Sequence, residues 1–284
     1  TDIYWARVLV QERLQSARDQ LPEGVEPFMT PVASLMGEIL LVGVRSTIPE
    51  GEPGYLAPRD VRTLADWTIK RRLQGVPGIA EILNMGGGVQ QIEVQPDPYL
   101  LQAHDVTLAE LETAVTEAAT TTTGGFLDAG PTEIMVRNLA MTTDLADIAG
   151  TVIKQAGGRS IIIADVAQVV WSIEPMRGDA TVSRAPEKTP TYGVIMSITK
   201  SPGFDTRELT EQIKTALTEL QPAFPAGVET VLLFQQKDFI DHAIGNLSEA
   251  IRDGAIMVTV VLFLFLLNFR TTFITLTAMP MSFA

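Results

Sequence analysis

The last thirty-one residues constrain everything before them. From Gly254 to Ala284 there is one charged side chain, Arg270, and almost every other residue is apolar or Thr. The run Ala255–Leu267 (AIMVTVVLFLFLL) suits hydrocarbon, whereas the preceding residues have the mixed composition of a protein folded in water. That run is shorter than the ~20 residues needed to cross a bilayer. A membrane span is therefore expected to start earlier, with Arg252 and Asp253 at the interface. Asn268-Phe-Arg270 interrupts the apolar stretch and Thr271 onward resumes it, which predicts a transmembrane helical hairpin. Basic residues favour the cytoplasmic side, so Arg270 would place the turn there and the large domain outside. The chain opens on Thr1-Asp-Ile-Tyr-Trp5 without an initiator Met or signal peptide and stops within apolar sequence. It is expected to be a fragment of something longer.

Composition narrows the function classes. Of 284 residues, 46% are hydrophobic and 19% charged, enough apolar matter for a packed core. The formal net charge of −13 argues against nucleic acid, whose phosphates need clustered Lys and Arg. Acidity is compatible with attracting cations, but a surface that carboxylates keep soluble is the commoner explanation. There are no cysteines, which excludes disulfides and thiolate metal sites. Gly86-Gly-Gly88 lacks the Lys-Ser/Thr of a phosphate loop and opens no helix, so it reads as a crossing between subdomains. There is no nucleophile-elbow sequence, and two histidines without a supporting motif make no hydrolytic triad. The chain is not expected to be an enzyme.

Periodicity predicts an α+β fold. Asp2 to Gln20 is helical, with Ile3, Ala6, Val10, Leu14 and Ala17 at three- to four-residue spacing. Glu38–Arg45 reads as a strand, Pro58 to Leu73 as a helix and Ile79–Met85 as a strand: one β-α-β unit. Thr191–Thr199, a helix capped by Asp205, and Val228–Phe234 form a second. Each helix ends on a Pro/Gly cluster, GVPG or FPAG. Two such units pack as a ferredoxin-like sheet with both helices on one face. The roughly one hundred residues between them read as an inserted α+β subdomain. Its parts are strands at Gln91–Gln95, Glu133–Arg137, Ser160–Ile163 and Ala167–Ile173, and a turn at Pro96-Asp-Pro98. It also has a helix boxed by Thr107 and Glu110, a polar loop at Thr120–Gly125 and a short helix from Thr143. Asp238–Asp253 forms a helix leading into the apolar run.

That order of parts, and several phrases, resemble the periplasmic half-loop of RND efflux pumps. Asp2-Ile-Tyr-Trp-Ala-Arg7, Gln11-Glu-Arg-Leu14, Leu21-Pro-Glu-Gly-Val25 and Met36-Gly-Glu-Ile39 are similar to the heavy-metal (CusA/CzcA-type) branch. So are Asp97-Pro98, Asp165-Val-Ala167, Asp238-Phe-Ile-Asp-His-Ala-Ile244 and Asn268-Phe-Arg270, while Ala278-Met-Pro280 resembles the start of a further membrane helix. The resemblance implies domains: residues 1–26 the end of a first porter subdomain, 27–88 and 189–236 the two halves of a second, and 89–188 an inserted docking subdomain. Residues 237–270 would be a lead-in and transmembrane helix, and 271–284 the start of the next. It further implies a homotrimer in the bacterial inner membrane, with about residues 1–240 in the periplasm. A periplasmic adaptor and an outer-membrane channel would be partners. Heavy-metal cations (Cu/Ag or Co/Zn/Cd type) would move by alternating access driven by proton influx. No resident cofactor is expected: the metal ion is cargo. The family's loop after the docking helix is often Asn-rich, whereas this chain has Thr120-Thr-Thr-Thr-Gly-Gly125. The proton relay and the main metal site of the family lie outside this stretch. Two alternatives stay open: an RND pump for hydrophobic drugs, and a membrane-anchored periplasmic binding or assembly module without transport.

Thioethers suit Cu(I) and Ag(I), so the ten methionines are candidate ligands. Packing in a core or in lipid accounts for Met196, Met257, Met279 and Met281, and Met85 ends a strand. Met29 and Met36 bracket a Pro-containing loop. Met176, in Glu174-Pro-Met-Arg177, sits at an exposed turn where the resemblance to copper/silver members implies a methionine lining the metal route. It is the candidate metal ligand. His104 reads as a loop residue. Asp238 and His242 are at i,i+4 spacing, which permits a pair but also describes an exposed polar face.

Overall fold

The computed structural model describes residues 2–22, 24–118, 123–129, 132–137, 142–184, 186, 189–266, 270 and 273–274, with backbone alone for 35, 123–129, 132–137, 265 and 266. The chain begins with helix α1 (Ile3–Ala17), capped by the Asp2 carboxylate, which accepts from the Tyr4 amide. None of its residues is buried within this chain. Strand β1 (Glu38–Ser46), helices α2 (Pro58–Leu64) and α3 (Lys70–Gln74), and strand β2 (Ile79–Met85) follow. The intervening subdomain holds β3 (Gln90–Pro96), α4 (Pro98–Ala103), α5 (Leu108–Ala118), β4 (Thr123–Ala129) and β5 (Thr132–Arg137). It continues with α6 (Leu145–Ala149), β6 (Val152–Ala156), β7 (Arg159–Ile162) and β8 (Ala167–Ile173). The chain then returns through β9 (Ala180–Val182), β10 (Thr191–Lys200), α7 (Thr206–Leu220), β11 (Val228–Gln235) and α8 (Gln236–Leu266).

The two β-α-β units interlock. Their strands lie in the order β11-β1-β10-β2, all antiparallel, with β9 added to β10. This is the ferredoxin-like arrangement expected from the repeat. Alternation along the strands fills one face: Val42 pairs with Met196 and Val44 with Val194, and all four are fully buried. A register shift at the start of β1 lets Ile39 and Leu40 both be buried.

Both helical connections cover this face. Between α2 and α3 the residues Ala65–Ile69 form a π-helical turn. The sequence explains it. Val61, Ala65, Ile69 and Leu73 recur every four residues, and in a regular α-helix each such step drifts about 40° around the axis. The wider turn absorbs that drift, so all four side chains reach 0% exposure. Opposite them, α7 is capped by Asp205, which accepts from the amides of Arg207 and Glu208 at 2.9 Å. It inserts Leu209, Ile213, Ala216 and Leu217 into the same core.

The intervening subdomain has a separate core of Val106, Leu111, Ile161, Ile163, Val166 and Ala167. Here the structure corrects two expectations and adds one strand. Thr123–Gly125 belong to β4 rather than to a loop, while Thr120–Thr122 lie outside the described residues. The expected turn at Pro96-Asp-Pro98 is the N-cap of α4, with Asp97 accepting from the amides of Tyr99 and Leu100. Strand β6 lies in a stretch to which the sequence reading assigned no element. The Thr107–Glu110 box is present: Glu110 Oε2 accepts from the Thr107 amide at 2.7 Å, and the Glu110 amide donates to Thr107 Oγ1 at 3.2 Å.

Strand β11 passes directly into α8, a 31-residue helix. Among the described residues, no helix is long and apolar enough to cross a membrane. Arg270 is helical, so the expected turn does not include it; Asn268, Phe269, Thr271, Thr272 and 275–284 lie outside the described residues.

Two outcomes follow from the packing. Ile213→Ala empties a fully buried site and should cost about 2–5 kcal/mol, whereas Thr218→Ala, on the exposed face of α7, should stay within about 0.5 kcal/mol. Urea midpoints at constant m-value would distinguish them. Second, the hydrogen bonds from the Thr107 amide and then its hydroxyl hold the Glu110 carboxyl below the usual range. A carboxyl lowered on folding adds stability that is present above its unfolded pKa and lost as pH falls through the folded value. Glu110→Gln should retain the box while flattening that part of the acid dependence of Tm.

Candidate functional site

Met176 lies in the segment joining β8 to β9, where the inserted subdomain returns to the five-stranded sheet. Its side chain is 45% exposed, as the sequence suggested. It lines a cleft of about 540 Å³ together with Glu50, Tyr55, Pro58, Asp179 and Tyr192. It also lines a smaller recess of about 250 Å³ between Arg62, Glu174 and Arg177. The single thioether thus stands between two openings at the junction of the two units.

The glycine run builds the floor. Gly86, Gly87 and Gly88 have φ of 81°, 79° and 68°, the left-handed region that side chains disfavour. Space is as restrictive as conformation. A Cβ on Gly86 would lie 2.5 Å from Ala180 Cβ, and one on Gly87 would lie 2.7 Å from the Pro58 carbonyl oxygen. A Cβ on Gly88 would approach Met176 Sδ at 3.3 Å. The chain therefore leaves β2 by threading between the start of α2 and the Glu174–Asp179 segment. The crossing inferred from the sequence is there, and a side chain at Gly88 would meet the candidate ligand.

Polar side chains hold that crossing from both sides. Asp179 Oδ1 accepts from the Gly87 amide at 3.0 Å and from the Ala180 amide at 2.8 Å. Arg62 donates to the Gly86 carbonyl at 2.8 Å and to Asp66 at 2.7 Å. Asn84 Nδ2 donates to the other Asp66 oxygen at 2.7 Å. Asp66 sits in the π-helical turn, so the local widening of the helix also places this bracket. In the cleft lining, burial and then the charge of Glu50 raise the pKa of the Tyr55 hydroxyl above its ordinary value.

The cleft brings one soft thioether together with the carboxylates of Glu50 and Asp179 and the hydroxyls of Tyr55 and Tyr192. Among the described residues no three His, Cys, Asp or Glu side chains converge on a possible metal position. The remaining sequence candidates are dispersed. His104 follows α4 in the inserted subdomain, while His242 is exposed on α8. Asp238 accepts from Gln235 at 3.4 Å. Met196 is buried in the sheet core, Met36 and Met85 are exposed, and the Met29 carbonyl accepts from Arg7. Met257 is exposed on α8, and Met279 and Met281 lie outside the described residues. The bracket of Arg62, Asp66, Asn84 and Asp179 was not picked out by sequence reasoning. Only the i,i+4 spacing of Arg62 and Asp66 could have signalled part of it.

With the geometry in view, comparisons with known proteins are informative. A family model described as the AcrB/AcrD/AcrF family matches residues 1–284. Protein HelA of Legionella pneumophila is 30% identical over 284 residues, covering 99% of this chain and 26% of that protein. The same figures hold for the cobalt-zinc-cadmium resistance protein CzcA of Cupriavidus metallidurans. The cation efflux system protein CusA of Escherichia coli is 31% identical over 282 residues, 99% of this chain and 26% of its own. The chain thus spans about a quarter of the length of these relatives. A crystal structure of a heavy metal efflux pump superposes with a TM-score of 0.79 at 22% identity, over 99% of this chain and 27% of that one. At that identity the likeness speaks for the fold alone.

The glycine floor predicts a contrast between two substitutions. Gly203→Ala meets no atom within 4 Å, so only its φ of +87° opposes the change, at about 1–2 kcal/mol. Gly87→Ala carries the same conformational penalty plus contact with Pro58 and Val194, and should lose clearly more stability in parallel urea titrations.

Proposed function

The chain belongs to the AcrB/AcrD/AcrF family, and on that premise we propose that it is the part of a proton-driven heavy-metal efflux transporter that carries cargo outside the membrane. The observation that carries this reading is similarity along the whole chain to proteins named for cobalt-zinc-cadmium resistance and cation efflux. Resemblance confined to the apolar end would have supported only a membrane anchor. The expected RND membership agrees with the family match.

In this reading, 27–88 and 189–236 form one porter subdomain, whose halves meet in the β11-β1-β10-β2 sheet. Residues 89–188 are the docking subdomain, and 1–26 close a preceding porter subdomain. The intact transporter is a homotrimer in the bacterial inner membrane, working with a periplasmic adaptor and an outer-membrane channel. Residues 237–270 lead into and across the bilayer, and 271–284 begin the next span. The metal ion is cargo, passed between sites by alternating access. Met176 is a transient ligand on that path. A thioether flanked by Asp179 and Glu50 can lower the cost of removing water from a soft cation without holding it in a closed shell.

The full-length parent, reconstituted in vesicles, should move metal only while a proton gradient is present. Transport that persists after the gradient is collapsed refutes the drive mechanism, and export of hydrophobic drugs without metal transport refutes the cargo. Met176→Leu keeps apolar bulk and removes the sulfur. It should reduce copper or silver transport while leaving expression unchanged, and unaltered resistance would dismiss Met176 as a ligand.

A further inference from the structure

The base of α8 is held to α7 by charge. Lys237 Nζ lies 2.7 Å from Glu211 Oε1, and Arg207 Nε lies 2.6 Å from Asp241 Oδ1. Lys237 also lies 3.8 Å from the other Asp241 oxygen, and Lys214 lies 3.2 Å from Glu211. Asp241 Oδ1 is shut off from water and has no aligned hydrogen bond, so the guanidinium charge of Arg207 is what compensates it. The hydrogen bond to Glu211 raises the pKa of Lys237, and the bonds from Lys237 and then Lys214 lower that of Glu211. Both ends of the pair therefore stay charged across the neutral range.

Two further contacts fix the same end of the helix. Gln236 donates to the Met36 carbonyl at 3.4 Å, and the Phe239 ring packs on Phe234 of β11 with centroids 5.8 Å apart. Beyond this point the exposure changes. Ile244, Leu247 and Ile251 are all at least half exposed, and no described side chain of α8 is buried. By contrast α7, the other side of the contact, has five buried residues, four of them in the main core, and cannot move independently of the sheet. No loop separates β11 from α8 to absorb a rotation.

We propose that Arg207, Glu211, Lys237 and Asp241 form an ionic clamp that locks the first turns of α8 to α7, making α8 a lever that carries displacement of the sheet unit to its apolar end. Exposed ion pairs taken singly are weak. Here four groups on two helices form a connected set, and they act on a strand-to-helix junction that is already continuous. The residues are positioning residues, remote from the Met176 cleft. The purpose of the lever rests on the transport reading; its geometry does not.

The experiment uses the full-length parent in lipid, with spin labels at Thr215 of α7 and Leu247 of α8, both exposed. The distance distribution between the labels should be narrow for the unaltered clamp and for Lys237→Arg. It should broaden for Lys237→Met and for Asp241→Asn. The same two loosened variants should lose at least about fivefold in gradient-driven metal efflux, the low end of typical coupling between sites. Glu211→Cys combined with Lys237→Cys, in a parent cleared of other cysteines, should show that loss until a short bifunctional thiol reagent bridges the two positions, and then recover. Narrow distributions in the loosened variants overturn the clamp. Broad distributions with unchanged efflux, or a bridged pair that stays inactive, overturn the lever. If the unaltered parent moves no metal, the transport reading fails while the distances still decide the clamp.

Discussion

Strand β1 is the member on which the arrangement depends. It lies between β10 and β11, both drawn from the far half of the chain, and it supplies four of the largest fully buried side chains, Ile39, Leu40, Val42 and Val44. Those residues can be buried only once β10 and β11 have paired on either side and α2, α3 and α7 have closed over them. Contacts spanning such sequence separations give nothing back until a long loop is closed. The intervening residues must therefore leave the sheet after β2 and re-enter it before β10 at nearly the same place.

That requirement accounts for the crowded junction around Gly86–Gly88. The outgoing chain, the returning Glu174–Asp179 segment and the start of α2 compete for one volume. Three glycines in the left-handed region let the outgoing chain through, and Asp179 and Arg62 bond its backbone in place. A cleft opens beside this close crossing, and the candidate ligand lines it. A methionine, with its unbranched and adaptable side chain, tolerates such a place.

Much of this was legible in advance. The repeated β-α-β pattern, the helix breakers GVPG and FPAG, the Asp205 cap and the Thr107–Glu110 box are local signals, and the structure reproduces each. What failed to show was set by partners distant in the chain. Strand β6 lacks a distinctive alternating pattern and exists because β7 pairs with it. Strand β9 has only three residues and is defined by β10. The π-helical turn is written in the four-residue spacing of Val61, Ala65, Ile69 and Leu73, yet that spacing also fits a drifting α-helix. Only the sheet beneath says which face must be buried.

The sequence by itself determined the class of the chain: an acidic α+β body with no cysteine chemistry, two interlocking β-α-β units, an insertion and an apolar end. These follow from composition and short-range periodicity, which need no knowledge of what lies across the core. Tertiary structure alone decided that Met176 shares a cleft with Tyr55, Tyr192, Asp179 and the glycine floor. It also decided that Lys237 and Asp241 of α8 meet Glu211 and Arg207 of α7. Neither arrangement has a local signature, because a side chain's chemical surroundings in a long-range sheet are set by register and crossing geometry, and both are fixed only when the whole core closes.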